Sequence, residues 1–110
     1  MRINEKSSND INIYSVEGDI DINSSPQIRQ GFDKPIAVKV MKMLINLSSV
    51  SYIDSSGLAT LVELLKKTRA YGGKLRLSNL APKVKSLFEI TKLEKLFDIH
   101  DTEAEALTDF

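Results

Sequence analysis

The sequence predicts an α/β domain built on a mixed sheet that contains parallel strand pairs. Three observations lead there. Two strand-like segments open the chain, and helical and strand-like segments then alternate to its end. The run Met43-Leu44-Ile45-Asn46-Leu47 reads as a buried strand, and the most amphipathic helix of the sequence follows it, starting at the pair Ser55-Ser56.

Taken in order, Arg2 to Lys6 is a weak first strand, and Ser7 to Asp10 supplies residues suited to a hairpin turn. Ile11 to Val16 nearly alternates apolar and polar side chains, as a half-buried strand does. Gly18-Asp19-Ile20-Asp21 closes that strand with turn chemistry. Ser24-Ser25-Pro26 marks a helix start, a serine cap with proline at the first helical position. This helix is expected to be short: Gly31 weakens it, and Pro35 should stop it by lacking an N–H and clashing with the preceding turn. Ile36 to Lys42 is open to a second helical turn, a loop or an early strand.

The central helix is the best supported. Leu58, Leu61, Val62 and Leu65 follow the i, i+3, i+4, i+7 spacing of an apolar stripe, which Leu64 widens. Glu63 stands four residues before Lys67, the favourable order for an ion pair. Gly72-Gly73 should end the helix, because glycine accepts the left-handed conformation of a C-terminal cap. Leu75 to Ser78 alternates as a strand. Pro82 starts a helix with Val84, Leu87 and Phe88 on one face, and Ile90-Thr91 lies near its end. Leu96 to Ile99 reads as a last short strand and Glu103 to Leu107 as a small terminal helix.

The 110 residues are expected to form one domain, 1–110, long enough to bury ~65% of the unfolded surface. Apolar residues make up 42% and charged ones 27%, a globular balance that argues against disorder. Lys plus Arg and Asp plus Glu each number 15, so no overall field draws in nucleic acid or an anionic membrane. Without cysteine there is no disulfide and no thiolate metal site. No apolar run approaches the ~20 residues of a membrane span, and the polar first ten residues lack a signal-peptide core. A cytoplasmic protein is expected. His100, the only histidine, reads as a surface residue and offers no pair for metal binding. Hydrolase and nucleotide-binding motifs are missing, so no catalytic residue and no cofactor are expected.

The candidate site lies at Asp54-Ser55-Ser56-Gly57. A helix N-terminus presents unpaired N–H groups and a partial positive charge, which suit a carboxylate or a phosphate. Capping preference alone makes Ser55 a helix cap. The second hydroxyl and Gly57 open another reading, in which Ser55 accepts a phosphoryl group. Asp54 could complement the helix dipole, orient the Ser55 hydroxyl or touch a partner, and Gly57 would leave the backbone accessible to that partner. Asp19 and Asp21 read as turn formers and gain interest only if the fold brings their turn beside Ser55. In an open α/β sheet the loops at the carboxyl ends of parallel strands share a face, where sites gather.

The segment from Ile45 through Asn46, Leu47, Ser48, Ser49, Val50, Ser51, Tyr52, Ile53, Asp54, Ser55, Ser56 and Gly57 to Leu58 closely resembles the signature of the anti-sigma-factor antagonists. These are single-domain bacterial members of the STAS group, which occurs in sulfate transporters and anti-sigma antagonists. Gly18 to Asp21, Ser24 to Pro26, Lys74 to Ser78, Pro82 to Phe88 and Ile90 to Leu93 resemble further parts of the family pattern in the right order, from about Ile11 to Ile99. The resemblance implies a STAS-like mixed sheet of four to five strands packed with about four helices. It implies a binding protein, not an enzyme, that frees a sigma factor by engaging an anti-sigma factor serine kinase. Ser55 maps onto the serine that this kinase phosphorylates, and a metal-dependent serine phosphatase would reverse the step. Asp54 maps onto the acid before that serine and Asp21 onto the acid of the adjacent turn. Two departures stand out: many members carry Asp where Asn46 stands, and Gly31 and Pro35 interrupt what is usually one longer first helix.

Phosphate would add about −2 charge where Asp54 and Asp21 already stand, and so oppose partner binding without unfolding the domain. The partner face implied is Asp21, Asp54, Ser55, Ser56 and Gly57. A different class of function is a constitutive accessory subunit of a transport or other complex, which would carry no phosphate on Ser55. A nucleotide or lipid sensor lacks a phosphate loop here, and an enzyme is the remotest reading.

Overall fold

A computed structural model describes all 110 residues, in five strands, four α-helices and one 3-10 turn. Strands β1 (Arg2–Ser8) and β2 (Ile11–Glu17) pair antiparallel across the tight turn Asn9-Asp10, with Asn9 at φ 57°. Helix α1 (Ser25–Ala37), β3 (Lys42–Ser49), α2 (Ser55–Ala70), β4 (Lys74–Ser78), α3 (Pro82–Ile90), the 3-10 turn Leu93–Lys95, β5 (Asp98–His100) and α4 (Glu103–Ala106) follow. The sheet order is the chain order, β1-β2-β3-β4-β5, and every pair beyond the first is parallel.

Strand alternation divides the side chains between two unequal layers. Tyr14, Val16, Met43, Ile45, Leu47, Leu75 and Leu77 face the large core. Ile28 and Phe32 of α1, Leu58, Leu61, Leu64 and Leu65 of α2, and Val84 and Phe88 of α3 close over them. Two aromatic contacts lock the ends of this layer: Tyr14 with Phe32 at 4.9 Å and Phe88 with Phe97 at 5.5 Å. Ile11, Ile13 and Leu44 point the other way and are covered by Ala106, Leu107 and Phe110.

The first helix departs from expectation. It runs 13 residues, through both Gly31 and Pro35. Pro35 stands in the last turn, so the missing N–H costs one bond near an end that frays in any case, and its ring is buried in return. The chain then stops the helix without glycine. Val40 donates to the Pro35 carbonyl and Lys39 to that of Ile36, each at 3.0 Å, with Lys39 in the left-handed conformation at φ 57°. This double closure is the Schellman pattern, and it resolves residues 36–42 as a helix end followed by the start of β3. Gly31 makes room for β1: a Cβ there would lie 2.5 Å from the Ile3 side-chain tip. Helix α2 ends at the Gly pair as expected, with Gly72 at φ 85° and Gly73 donating to the Thr68 carbonyl. Leu64 takes a core position and Val62 lies at the margin.

The back of the sheet is held by two polar anchors that composition gave no sign of. Arg76 lies largely buried, pairs with Asp98 at 2.8 Å, and donates to the carbonyls of Ala106, Thr108 and Asp109, each at 2.9 Å. Its guanidinium also stacks 4.4 Å from the Phe110 ring centroid. Arg76→Ala is expected to cost about 2–3 kcal/mol in urea unfolding, because it strips one side chain of several charge-assisted bonds. Amide exchange should then quicken first in residues 103–110. A loss too small to measure, with that segment still protected, would refute the anchoring role.

Glu103 is the second anchor, accepting from Lys6 at 3.0 Å and from Asn46 at 3.1 Å. Burial raises the Glu103 pKa, but the hydrogen bonds from Lys6 and Asn46 and the Lys6 charge outweigh it, and the net shift is downward from 4.5. A lowered carboxylate pKa stabilises the fold above its unfolded value and loses that contribution as pH falls through the folded one. Glu103→Gln should therefore melt below the wild type near pH 6, and the gap should close below pH about 4. A gap independent of pH would exclude the carboxylate charge as its source. Opposite expectation, His100 is half-buried on β5, with Nε2 2.8 Å from an Asp98 oxygen.

Candidate functional site

The loops that follow β2 and β3 are drawn together beyond the ends of their strands. An isolated parallel bridge joins Ile20 to Ile53. Ile20 donates to the Tyr52 carbonyl at 3.0 Å, and Asp54 donates back to the Ile20 carbonyl at 3.1 Å. The turn Asp19–Ile22 thus stands against the start of α2, the condition that gave Asp19 and Asp21 their interest.

Asp54, not Ser55, caps α2. Its backbone is extended, and Oδ1 accepts the Gly57 N–H at 2.8 Å. Oδ2 accepts the Ile22 N–H at 3.1 Å, so one carboxylate fixes the helix start and ties it to the other loop. Both Asp54 oxygens are thus engaged by backbone donors, and no hydrogen bond joins the carboxylate to the Ser55 hydroxyl. Ser55 takes the first helical position and is exposed, and Ser56 beside it is half-exposed. Aspartate and serine rank alike as caps; with Asp54 in that place the hydroxyl of Ser55 is left pointing to solvent at the positive end of a 16-residue helix.

Gly57 faces inward. A Cβ at this position would lie 2.2 Å from the Ile20 carbonyl oxygen and 2.9 Å from its carbon. The glycine lets α2 approach the Ile20 strand end, and the space expected to be open to a partner is filled by the chain itself. Asp21 plays the capping part expected of a serine in Ser24-Ser25-Pro26. Its Oδ1 accepts the N–H groups of Asn23 and Ser24 at 2.9 and 3.0 Å, and its carbonyl accepts the Ser25 N–H at 2.9 Å. The buried Ser24 hydroxyl instead accepts from Asp21 N–H at 3.0 Å and donates to the Asp19 carbonyl at 2.7 Å, bracing the turn from inside. Asp19 reaches Ser51 across the loops at 3.3 Å.

Two residues of this face escaped the sequence reading. Ile22 and Tyr52 are apolar and large, yet 68% and 55% exposed; Tyr52 precedes Ile53 of the bridge, and Ile22 donates its own N–H to Asp54. For Tyr52 the signal was the period of two: Ile53 turns inward, so the residue before it in the extended loop turns outward. Ile22, two residues after Ile20, carried no such signal, because a turn intervenes and sends it outward.

The STAS domain profile matches residues 2–106 of this sequence. The chain belongs to the STAS domain family. A curated relative, the anti-sigma-B factor antagonist of Bacillus subtilis (strain 168), is 37% identical over 102 residues, 90% of this chain and 92% of the relative. The crystal structure of an anti-sigma factor antagonist from Mycobacterium paratuberculosis superposes with a TM-score of 0.88 at 25% identity, covering 97% of this chain and 91% of that one. The phosphorylated form of the Bacillus cell fate determinant SpoIIAA shares the fold, with a TM-score of 0.72 at 21% identity and 96% coverage of both chains. The five-stranded mixed sheet with four helices is the STAS fold. Within it, the face formed by Asp21, Ile22, Tyr52, Asp54, Ser55 and Ser56 sits at the carboxyl ends of the parallel STAS strands, where loops are free to carry function.

Proposed function

We propose that this STAS protein is an anti-sigma-factor antagonist switched by phosphate on Ser55. Unmodified, it binds an anti-sigma factor that is also a serine kinase, and so releases the sigma factor. The kinase transfers the γ-phosphoryl group of ATP to Ser55 Oγ and leaves ADP; a serine phosphatase hydrolyses the ester and restores binding. The chain acts as one module over residues 1–110, in the cytoplasm, as a binding protein that performs no catalysis of its own and does not touch nucleic acid. Its family relatives named as anti-sigma antagonists, and the phosphorylated state in which SpoIIAA was solved, support this reading. No helix is long and apolar enough to cross a membrane.

The observation that carries the proposal is the division of labour at α2. Asp54 does the capping, which leaves the Ser55 hydroxyl exposed for transfer. Ile22 and Tyr52 give the same face apolar area for a partner, and a phosphate on Ser55 would desolvate poorly there and add its charge next to Asp54. The test is incubation with host-cell lysate and Mg-ATP, followed by intact-mass spectrometry and site mapping. One phosphate on Ser55, lost in Ser55→Ala, is expected. No phosphate, in a lysate whose kinases are active on their own substrates, would overturn the switch and favour the constitutive accessory subunit.

A further inference from the structure

A shallow groove of about 540 Å³ runs along α2, away from Ser55. Leu58, Ala59 and Val62 line it on the helix and Leu93 lines it from the 3-10 turn that follows α3. Lys66 and Lys67 stand at its far end. Ser55, Ala59, Val62 and Lys66 are spaced i, i+4, i+7 and i+11, so the groove and the Ser55 hydroxyl share one face of the helix.

The charge at this groove is one-sided. Glu63 also lines it, but its carboxylate is held by Arg29 at 2.9 Å. Lys67 only approaches that carboxylate, at 4.0 Å, and Lys66 is exposed. An apolar trough with two available ammonium groups fits an amphipathic helix whose apolar anchors are flanked by carboxylates. Ala59 is the small residue that gives the trough its depth, and it is exposed.

We infer that this groove receives an acidic amphipathic helix of the anti-sigma factor, so that the partner's carboxylates lie on Lys66 and Lys67 while its end abuts Ser55. The inference rests on the reading of Ser55 as the switch and adds its mechanism. Phosphate enters one turn before Ala59, at the head of a groove whose occupant is itself negative. It therefore blocks the seat of the bound helix's end, while the carboxylates on Lys66 and Lys67 lie about 16 Å further along α2 and act on it only at low salt.

The test uses the purified anti-sigma factor of the same host, titrated with wild type, Ser55→Asp, the double variant Lys66→Glu/Lys67→Glu, and Ala59→Asp against Ala59→Asn. The double variant should bind roughly tenfold or more weakly, chiefly through slower association, and wild-type association should slow as salt rises. Ala59→Asp should bind more weakly than Ala59→Asn. Melting temperatures should match the wild type throughout, since all four positions are exposed. Wild type binding and Ser55→Asp failing, with the groove variants unchanged, would overturn the groove and leave the switch standing. Wild type failing to bind would overturn both. A wild-type dimer dissolved by Lys66→Glu/Lys67→Glu would assign the groove to self-association and also overturn the inference.

Discussion

Gly57→Ala will cost about 3 kcal/mol or more of folding stability, although alanine is the better helix former. The reason is what the new methyl group meets. Its nearest neighbours are backbone, the Ile20 carbonyl oxygen at 2.2 Å and the carbonyl carbon at 2.9 Å, together with Ile20 Cγ2 at 2.8 Å. Backbone held in a strand bridge cannot swing aside as a side-chain tip does. Either the first turn of α2 must retreat or the Ile20–Ile53 bridge must open, and both hold Ser55 in place. Gly31→Ala is the control: its new methyl group meets only the flexible end of Ile3, so its cost should be much smaller. Urea unfolding of the two variants decides the point. A Gly57→Ala protein as stable as Gly31→Ala would mean that α2 does not need this close approach.

Ser55→Asp will do the opposite, leaving stability almost untouched while removing partner binding. The site is exposed and lies in the first turn of a long helix, where a carboxylate is mildly favourable. The melting temperature should therefore stay within about 2 °C of the wild type. At an interface, like-charge placement costs several kcal/mol, and about 2.8 kcal/mol corresponds to a hundredfold in affinity. Titration calorimetry with the anti-sigma factor should show a loss of about that size or complete loss, while Ser55→Ala binds and cannot be phosphorylated. Unfolding of Ser55→Asp, or binding equal to wild type, would remove Ser55 from the mechanism.

Most strands and helices were legible because their signals are local and periodic. The alternation in Ile11–Val16, the stripe of α2 and its glycine stop each depend on a few neighbouring residues. The fate of Pro35 was not legible in this way. Whether a proline ends a helix depends on what the next turn can bury and how it closes, and here Lys39 closes it in a conformation usually left to glycine. The site was legible in its location and misread in its parts. Asp54 and Ser55 both suit a cap, and only the second acceptor task of Asp54, the Ile22 N–H of a loop 32 residues away, shows why the acid holds that position. Gly57 looked like clearance for a visitor because the carbonyl that fills the space comes from another strand. Arg76 gave no signal, since its acceptors are main-chain carbonyls thirty and more residues along the chain.

The strand order carries a consequence for synthesis. Each parallel strand adds beside the one made just before it, so a chain emerging from the ribosome can extend its sheet stepwise without waiting for distant sequence. The segment that covers Ile11, Ile13 and Leu44 is the exception, because it follows all five strands. Until residues 103–110 emerge and find Arg76, a nascent chain carries an apolar stripe of two adjacent strands open to chaperones or to another nascent chain.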